Sequence, residues 1–267
     1  MAGTTVMIGG IRVRLLCHDR SFDRLVRKRY ANFLGPGDGE AAELTVNLLT
    51  RGERGPDADL EVFYRDGTWH IQRGDFRAEW NLHSRRGTVW QARSPYSIDS
   101  VLRILHTLIL SEQGGFLLHA SSMIRNGQAL LFAGQSGAGK TTMCRLAPED
   151  SILLTDEISF VRRVGDTYCA FGTLFYGELA VPGKNTFAPV AALYLLEHAS
   201  VNRVERVSPR QALTQFLRNV LLFARESESV HRVFASAFDL ISSVPVRRLR
   251  FLPTQQVWTA LEEPACS

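Results

Sequence analysis

A glycine-rich segment that ends in a lysine carries the clearest chemical signal in the sequence. It runs Gly134-Gln135-Ser136-Gly137-Ala138-Gly139-Lys140-Thr141, with Thr142 next. The segment matches the pattern G-x-x-x-x-G-K-[ST] at every fixed position. Glycines allow backbone N–H groups to converge on phosphate oxygens without a side-chain clash, and the lysine adds a positive charge. This spacing predicts a loop that binds the phosphates of a nucleoside triphosphate.

The residues at the end of this loop have predicted tasks. Lys140 is expected to reach the β- and γ-phosphates, and the Thr141 hydroxyl is expected to coordinate a Mg²⁺ ion that bridges them. An apolar strand over 129–133 precedes the loop and a helix over 141–146 follows it, as such a loop requires. The start of that helix would add the positive end of its dipole.

Two adjacent acids, Asp156 and Glu157, follow the apolar strand predicted over 152–155. One carboxylate can hold Mg²⁺, and the other can accept a proton from an attacking hydroxyl group. Neighbouring residues of a strand point to opposite sides, so both acids reach one site only if the chain turns there. The alternative is a solvated strand end without a chemical role.

A histidine, His119, lies on the strand predicted one element before the loop. A histidine beside an apolar strand is more often a structural residue than a catalytic one. The residues around it do not decide between these roles.

Three short motifs at matching spacing nevertheless resemble one family. They are His119-Ala120, the glycine-rich loop, and Leu153-Leu154-Thr155-Asp156-Glu157. Over about residues 116–251 the chain resembles the HPr serine kinase family, and more closely the HPr-kinase-related proteins found beside peptide-modification genes, including lasso-peptide precursor kinases. The resemblance implies a P-loop domain related to phosphoenolpyruvate carboxykinase, which transfers the γ-phosphoryl group of ATP to a serine hydroxyl with Mg²⁺.

The resemblance also implies roles for individual residues. His119 matches the active-site histidine, Asp156 the carboxylate that takes the serine proton, and Glu157 a second acid near Mg²⁺, where the HPr enzymes usually have Asp. The implied catalytic residues are therefore Asp156, His119, Lys140 and Glu157, and the implied metal ligands are Thr141, Glu157 and Asp156. The stretch Gly172–Glu178 resembles a Gly-Thr-Pro-aromatic stretch of the related kinases without its proline, and is expected to border the acceptor. The later signature that those enzymes link to phosphorolysis is absent, and the first 110 residues do not resemble their N-terminal domain. Neither phosphorolysis nor HPr as the substrate is therefore expected.

The elements before residue 110 are predicted to be mainly strands. An alternating pattern predicts one strand over Val6–Leu16, and helical spacing predicts a helix over Phe22–Phe33 that Gly35-Pro36-Gly37 ends. Asp66-Gly67 predicts a hairpin turn, and Ser97 is predicted to cap a helix over 97–113. Further strands are predicted over 44–49, 61–64, 69–72, 76–80 and 88–92.

The later half is predicted to alternate strands and helices. The strand over 152–155 is expected to be buried on both faces, and a helix from Ser208-Pro209 is expected to carry a stripe that includes Val220 and Leu221. Patterns and resemblance together predict an α/β (α+β) chain. Residues 111–267 would form the catalytic domain, and residues 1–110 a smaller β-rich domain that docks a substrate or partner.

Composition and charge limit the classes of partner that the chain is expected to bind. The chain has 267 residues, 45% hydrophobic and 22% charged, with a net charge of +4, which is ordinary for a globular protein. No apolar run is long enough to span a membrane, and Met1–Gly10 lacks the features of a signal peptide, so a cytoplasmic protein is expected. Scattered basic residues without a motif argue against nucleic-acid binding. The four cysteines lack metal-ligand spacing and are expected to be reduced thiols.

The leading hypothesis is a kinase that phosphorylates a hydroxyl group, that of a serine first of all, on a peptide or protein such as a ribosomally made precursor. The alternatives are a nucleotide-dependent binding module or switch without phosphotransfer, a kinase of small-molecule hydroxyls, and an NTPase that acts on nucleic acid. Self-association is possible in each case, and the acceptor is not identified by the sequence.

Overall fold

The computed structural model describes residues 2–37, 39–49 and 58–262. The chain is a mixed α/β protein with two sheets and six α-helices among these residues. Contacts group it into two compact units, Met1–Ile109 with Leu222–Val230, and Leu110–Leu221 with His231–Ser267. None of the helices in the described ranges is both long and apolar enough to cross a bilayer.

The first unit contains a seven-stranded sheet in the order β1-β2-β3-β7-β6-β5-β4. Its strands are β1 (Ala2–Ile8), β2 (Ile11–Cys17), β3 (Ala42–Leu48), β4 (Glu61–Arg65), β5 (Thr68–Arg73), β6 (Phe76–Asn81) and β7 (Arg86–Gln91). Its helices are α1 (Arg20–Arg29) and α2 (Pro95–Glu112), and the boundary between the units falls within α2. The hairpin predicted at Asp66-Gly67 is confirmed, with φ angles of 49° and 78° between β4 and β5.

Three predictions in this unit were wrong in detail. The single strand over Val6–Leu16 is a hairpin, because Gly9 and Gly10 both adopt positive φ and turn the chain. The helix over Phe22–Phe33 ends at Arg29, and a short 3-10 turn at Ala31–Phe33 follows.

The third error concerns the start of α2, which begins at Pro95 rather than at Ser97. The Ser97 hydroxyl donates instead to the Asp75 carboxylate at 2.6 Å. A hydrogen bond to another element thus displaces the local capping role, and Ser94 Oγ accepts from Tyr96 N at 3.3 Å.

The second unit is built on a nine-stranded sheet whose main path is β10-β8-β11-β12-β13-β16-β14. Its strands are β8 (Gly115–Arg125), β9 (Gln128–Ala133), β10 (Ile152–Thr155), β11 (Ile158–Val164), β12 (Thr167–Phe171), β13 (Phe187–His198), β14 (Arg203–Arg206), β15 (Val220–Leu221) and β16 (Val246–Phe251). The remaining helices are α3 (Lys140–Arg145), α4 (Pro209–Leu217), α5 (Ser227–Ser243) and α6 (Val257–Glu262).

Both faces of this sheet are covered by apolar residues. Leu131 and Phe132 are neighbours on β9, yet they belong to different buried clusters. Leu131 packs in the cluster of Phe216 from α4, and Phe132 packs in that of Phe251 and Trp258. Each fully buried side chain of this size stabilises the fold by roughly 1.5–3 kcal/mol. The strand that precedes the glycine-rich loop is therefore held from both sides.

The predicted alternation of strands and helices was wrong between residues 152 and 171. β10, β11 and β12 follow one another without a helix, and β11 pairs antiparallel with both β8 and β12. β10 lies at an end of the main path rather than at its centre, with Ile152 and Leu153 only half-buried. Val220 and Leu221 are not on α4 either, because that helix ends at Leu217 and β15 pairs with β8.

Candidate active site

The glycine-rich loop connects β9 to α3 in the second unit. Gly139 has a φ of 100°, and a Cβ atom there would lie 2.4 Å from Cζ of Phe251. Gly137 has a φ of 78°, and a Cβ atom there would meet nothing within 4 Å. Gly139 is thus required by both conformation and space, whereas Gly137 borders an open volume that a ligand can enter.

Lys140 begins α3 and is 8% exposed. Its Nζ donates to the backbone oxygens of Gly134 at 2.8 Å and Gln135 at 3.0 Å, so the ammonium group lies against the loop. Burial lowers the pKa of Lys140, while the negative charges of Glu157 and Glu178 oppose that shift. A desolvated cation at this place is a strong partner for phosphate oxygens.

Asp156 is buried, with an exposure of 2%, and its carboxylate is held by backbone groups. Oδ1 accepts from Gly177 N at 2.8 Å, and Oδ2 accepts from Leu179 N at 2.9 Å. The loop after β12 therefore fixes the orientation of this carboxylate.

The chain turns directly after β10, as a shared site for both acids requires. Thr155 Oγ1 accepts from Glu157 N and Ile158 N, both at 3.2 Å, and donates to Phe175 O at 3.0 Å. This hydroxyl-stabilised turn brings Asp156 and Glu157 to the same side of the sheet end.

His119 lies on β8 opposite Ile158 of β11, and its backbone N–H donates to Asn219 O at 2.7 Å. The imidazole is half-buried. Burial lowers the pKa of His119, and the positive charge of Lys140 lowers it further. The ring is therefore neutral at pH 7 and is able to donate one hydrogen bond and accept another.

These groups line one cavity of about 230 Å³. Its lining is formed by His119, Ser136, Gly137, Gly139, Lys140, Thr141, Thr142, Asp156, Glu157, Gly177 and Glu178. Every residue that the sequence predicted as catalytic or as a metal ligand is in this set. Gly177 and Glu178 come from the stretch that was expected to border the acceptor.

The other loop residues, Gly134, Gln135 and Ala138, line a second cavity of about 410 Å³. Ser136 and Gly137 line both cavities. The rest of the second cavity is formed by Ala133, Leu195, Leu196, Glu197, His198, Gln215, Arg218 and Asn219. His198 Nε2 lies 2.9 Å from Gly137 O, and its ring stacks on Phe251 with the centroids 5.1 Å apart.

Sequence reasoning missed the polar residues of the second cavity. They have no motif spacing, since they come from the end of β13 and the end of α4. One signal was available, because β13 runs parallel to β9 and the carboxyl ends of adjacent parallel strands meet at one edge. The residues that follow the apolar run at 190–196 could have been placed beside the loop on that ground.

The residues of the first cavity fit a triphosphate with Mg²⁺. Among the residues that the structure describes, no group of three or more His, Cys, Asp or Glu side chains converges as a metal site. Mg²⁺ commonly takes only one or two protein carboxylates and fills its octahedron with phosphate oxygens and water. The Thr141 hydroxyl and the carboxylates of Asp156 and Glu157 are such a donor set.

A thiol lies close to this site but is not suited to nucleophilic chemistry. The Cys144 Sγ is 3.9 Å from Thr155 O, and burial raises the pKa of Cys144 to about 12. The thiol therefore stays protonated near neutral pH. Cys17 and Cys169 are also free thiols, and Cys266 lies outside the described residues.

Comparisons with known proteins give a family match and likenesses to solved structures. The family model described as SynChlorMet cassette protein ScmC matches residues 95–266, which include all residues of both cavities. The solved HPr(Ser) kinase/phosphatase from Coxiella burnetii is 12% identical, with 55% of this chain and 86% of that chain covered and a TM-score of 0.30. No curated protein matches the chain.

Proposed function

The chain belongs to the SynChlorMet cassette protein ScmC family, and from its loop and acids we propose that it is an ATP-dependent kinase of hydroxyl groups on peptides or proteins. One observation carries the proposal. His119 and the adjacent acids Asp156 and Glu157 come from two separate parts of the sequence, yet they line one cavity with the lysine of a phosphate-binding loop.

The loop and its lysine bind the triphosphate. Backbone N–H groups of the loop face the phosphates, and Lys140 Nζ exchanges the carbonyl oxygens of Gly134 and Gln135 for phosphate oxygens. Thr141 and Glu157 would hold the metal, with Asp156 beside them. Mg²⁺, when bound, neutralises the charge of the β- and γ-phosphates.

Asp156 acts on the acceptor. Its carboxylate takes the proton of the acceptor hydroxyl while the new P–O bond forms and the bond to the β-phosphate oxygen breaks, which releases ADP. The N–H groups of Gly177 and Leu179 keep this carboxylate in place. Phosphoryl transfer depends mainly on positioning and charge stabilisation, so this small set of groups is sufficient.

His119 acts as a neutral hydrogen-bonding group beside the phosphoryl group that is transferred. Because burial and Lys140 lower its pKa, the imidazole hydrogen-bonds the acceptor or the transferred group without adding a positive charge. This role is that of a positioning group for the hydroxyl that Asp156 deprotonates.

We take the acceptor to be a serine of a ribosomally made precursor peptide, such as that of a lasso peptide. Support comes from the resemblance of the three motifs to HPr-kinase-related proteins found beside peptide-modification genes. The first unit, which supplies none of the groups of the first cavity, would recognise the peptide. The reaction would take place in the cytoplasm, where ATP and Mg²⁺ are available.

The test is transfer of label from γ-labelled ATP, with Mg²⁺, to a serine-containing peptide encoded beside the gene. We expect label on the peptide and a mass increase of one phosphoryl group, both lost in Lys140→Met. ATP binding without label on any acceptor would contradict the kinase. ATP-dependent partner binding that survives Asp156→Asn would then favour a switch, and label on a small molecule alone would contradict the peptide acceptor.

A further inference from the structure

The second cavity is lined by Gly134, Gln135 and Ala138 of the loop, whereas the first is lined by residues 139–142. Ser136 and Gly137 line both cavities, so a triphosphate on the loop has one end toward each of them. The γ-phosphate must lie on the side of Asp156 and Glu157. The α-phosphate, which carries the nucleoside, then points away from those acids.

The two cavities differ in volume. The second has about 410 Å³, within the range of about 300–1,000 Å³ that is usual for small-molecule sites. The first has about 230 Å³, below that range, and is shared by the acids, His119 and the lysine. Phosphoryl groups and a hydroxyl fit the smaller cavity, and a base with its ribose needs the larger one.

The polar groups of the second cavity suit a base and a sugar. Gln215 is half-buried, and Asn219 is 7% exposed with its Nδ2 donating to Gln215 O at 2.8 Å. Amide side chains pair with the donor and acceptor edges of bases, and the guanidinium of Arg218 can stack on a base plane. Ala133 at the end of β9, and Leu195 and Leu196 near the end of β13, supply apolar surface.

The second cavity is not suited to the acceptor hydroxyl. Its only carboxylate among the lining residues is Glu197, which already pairs with Arg250 at 3.3 Å and Arg248 at 3.5 Å. Both carboxylate oxygens of Glu197 are thus already paired with arginine side chains of β16.

We propose that the cavity lined by Gln215, Arg218 and Asn219 binds the nucleoside of the triphosphate, so that the loop separates the nucleoside from the acceptor. This inference rests on the proposed function, because it takes a nucleoside triphosphate as the ligand of the loop. The acceptor approaches from the opposite side, past Gly177 and Glu178.

The test compares ATP with inorganic tripolyphosphate, which has the phosphates and no nucleoside. Binding of each with Mg²⁺ is measured by calorimetry on Gln215→Trp, whose ring fills the cavity, and on Arg218→Ala. Arg210→Ala is the matched control, since Arg210 is exposed on the same helix and lines neither cavity. Asn219 is left unchanged because its backbone oxygen holds the His119 N–H.

We expect ATP affinity to fall at least about tenfold in Gln215→Trp and about threefold in Arg218→Ala, with tripolyphosphate affinity unchanged. Retained tripolyphosphate binding also shows that the loop is folded. Equal losses for both ligands, or unchanged ATP affinity in Gln215→Trp, would overturn the inference. Calorimetry requires no turnover, so selective loss of ATP binding without label transfer contradicts the kinase alone. Label transfer by Gln215→Trp at an unchanged KM for ATP contradicts the nucleoside site alone.

Discussion

The two sides of the glycine-rich loop present different kinds of groups. On one side Lys140 and Asp156 are buried and held by backbone hydrogen bonds, with Glu157 and Glu178 close to the lysine. On the other side His198 is exposed and Gln215 is half-buried. On the proposed function, the first set of charges acts in the transition state and is fixed when the chain folds. Of the groups proposed to line the ligand site on the other side, Arg218 and His198 are exposed to water, whereas Asn219 is 7% exposed.

The largest expected effect is the loss of phosphoryl transfer when the proposed proton acceptor, Asp156, is replaced. Asp156→Asn should lower kcat by about 10²–10⁴, because the proton acceptor is lost, while the Kd for ATP changes little. The amide must also place its NH₂ against Gly177 N or Leu179 N, so the free energy of unfolding should fall by about 1–3 kcal/mol. Label-transfer kinetics and thermal unfolding measure the two effects.

The control for this prediction is an aspartate outside both cavities. Asp166→Asn removes an exposed carboxylate that pairs with Arg163 at 3.2 Å, and such surface pairs contribute little. We expect its kcat to stay within about threefold of the unaltered chain. A kcat within tenfold for Asp156→Asn, or equal losses in both variants, would show that Asp156 is not the proton acceptor.

A smaller effect is expected for the two histidines beside the loop. His119 lines the first cavity, and His198 lines the second. The pKa of His119 is lowered, so the neutral ring persists at pH values below the ordinary 6.5 and the rate should decline only there. The same shift means that the unfolded chain takes up a proton first, so stability also falls as pH drops through about 6.5. His119→Asn should lower the rate about 10- to 100-fold and remove this acid limb.

His198→Asn provides the comparison. It removes the ring that lies 2.9 Å from Gly137 O, but it leaves the charges around His119 unchanged. We expect kcat/KM measured from pH 5 to pH 8 to keep its acid limb in this variant. An acid limb that persists in His119→Asn would assign the titration to another group.

The same comparison explains how much of the site the sequence could predict. On the catalytic side the motifs are local, since Lys140 lies in the loop and Asp156 and Glu157 directly follow a strand. On the other side Gln215, Arg218 and His198 meet only because β13 runs parallel to β9 and α4 ends beside them. A local sequence pattern contains no information about which distant elements lie next to each other in the fold.

Predictions of the fold succeeded and failed for the same physical reason. Asp66-Gly67 forms the predicted hairpin because its turn depends on two residues alone. Ser97 does not cap α2, because Asp75 from the first sheet accepts its hydroxyl. Val220 and Leu221 continue the apolar spacing of α4, yet they pair with β8. Contacts between elements overrode local preference in both failures.

The smallest expected effect concerns the start of α4, which differs from the start of α3. α4 begins with a capping box, in which Ser208 Oγ accepts from Gln211 N and Gln211 Oε1 accepts from Ser208 N, both at 3.3 Å. α3 begins at Lys140 after the N-cap Gly139 and has no side-chain cap. The start of α4 is thus completed by its own sequence, and the start of α3 is not.

Ser208→Ala should therefore lower the stability of the fold and leave phosphate binding unchanged. We expect the free energy of unfolding in urea to fall by about 1 kcal/mol, since one side-chain cap is lost. Tripolyphosphate affinity should stay the same, and ATP affinity should change less than about twofold, because α4 remains packed through Phe216.

Thr214→Ala is the matched control, since its hydroxyl donates to Arg210 O within the same helix. We expect its free energy of unfolding to change by no more than about 0.5 kcal/mol. A tenfold loss of ATP affinity in Ser208→Ala, with tripolyphosphate unaffected, would mean that the cap itself sets the shape of the nucleoside cavity, and the nucleoside side of the loop would then be as rigidly fixed as the catalytic side.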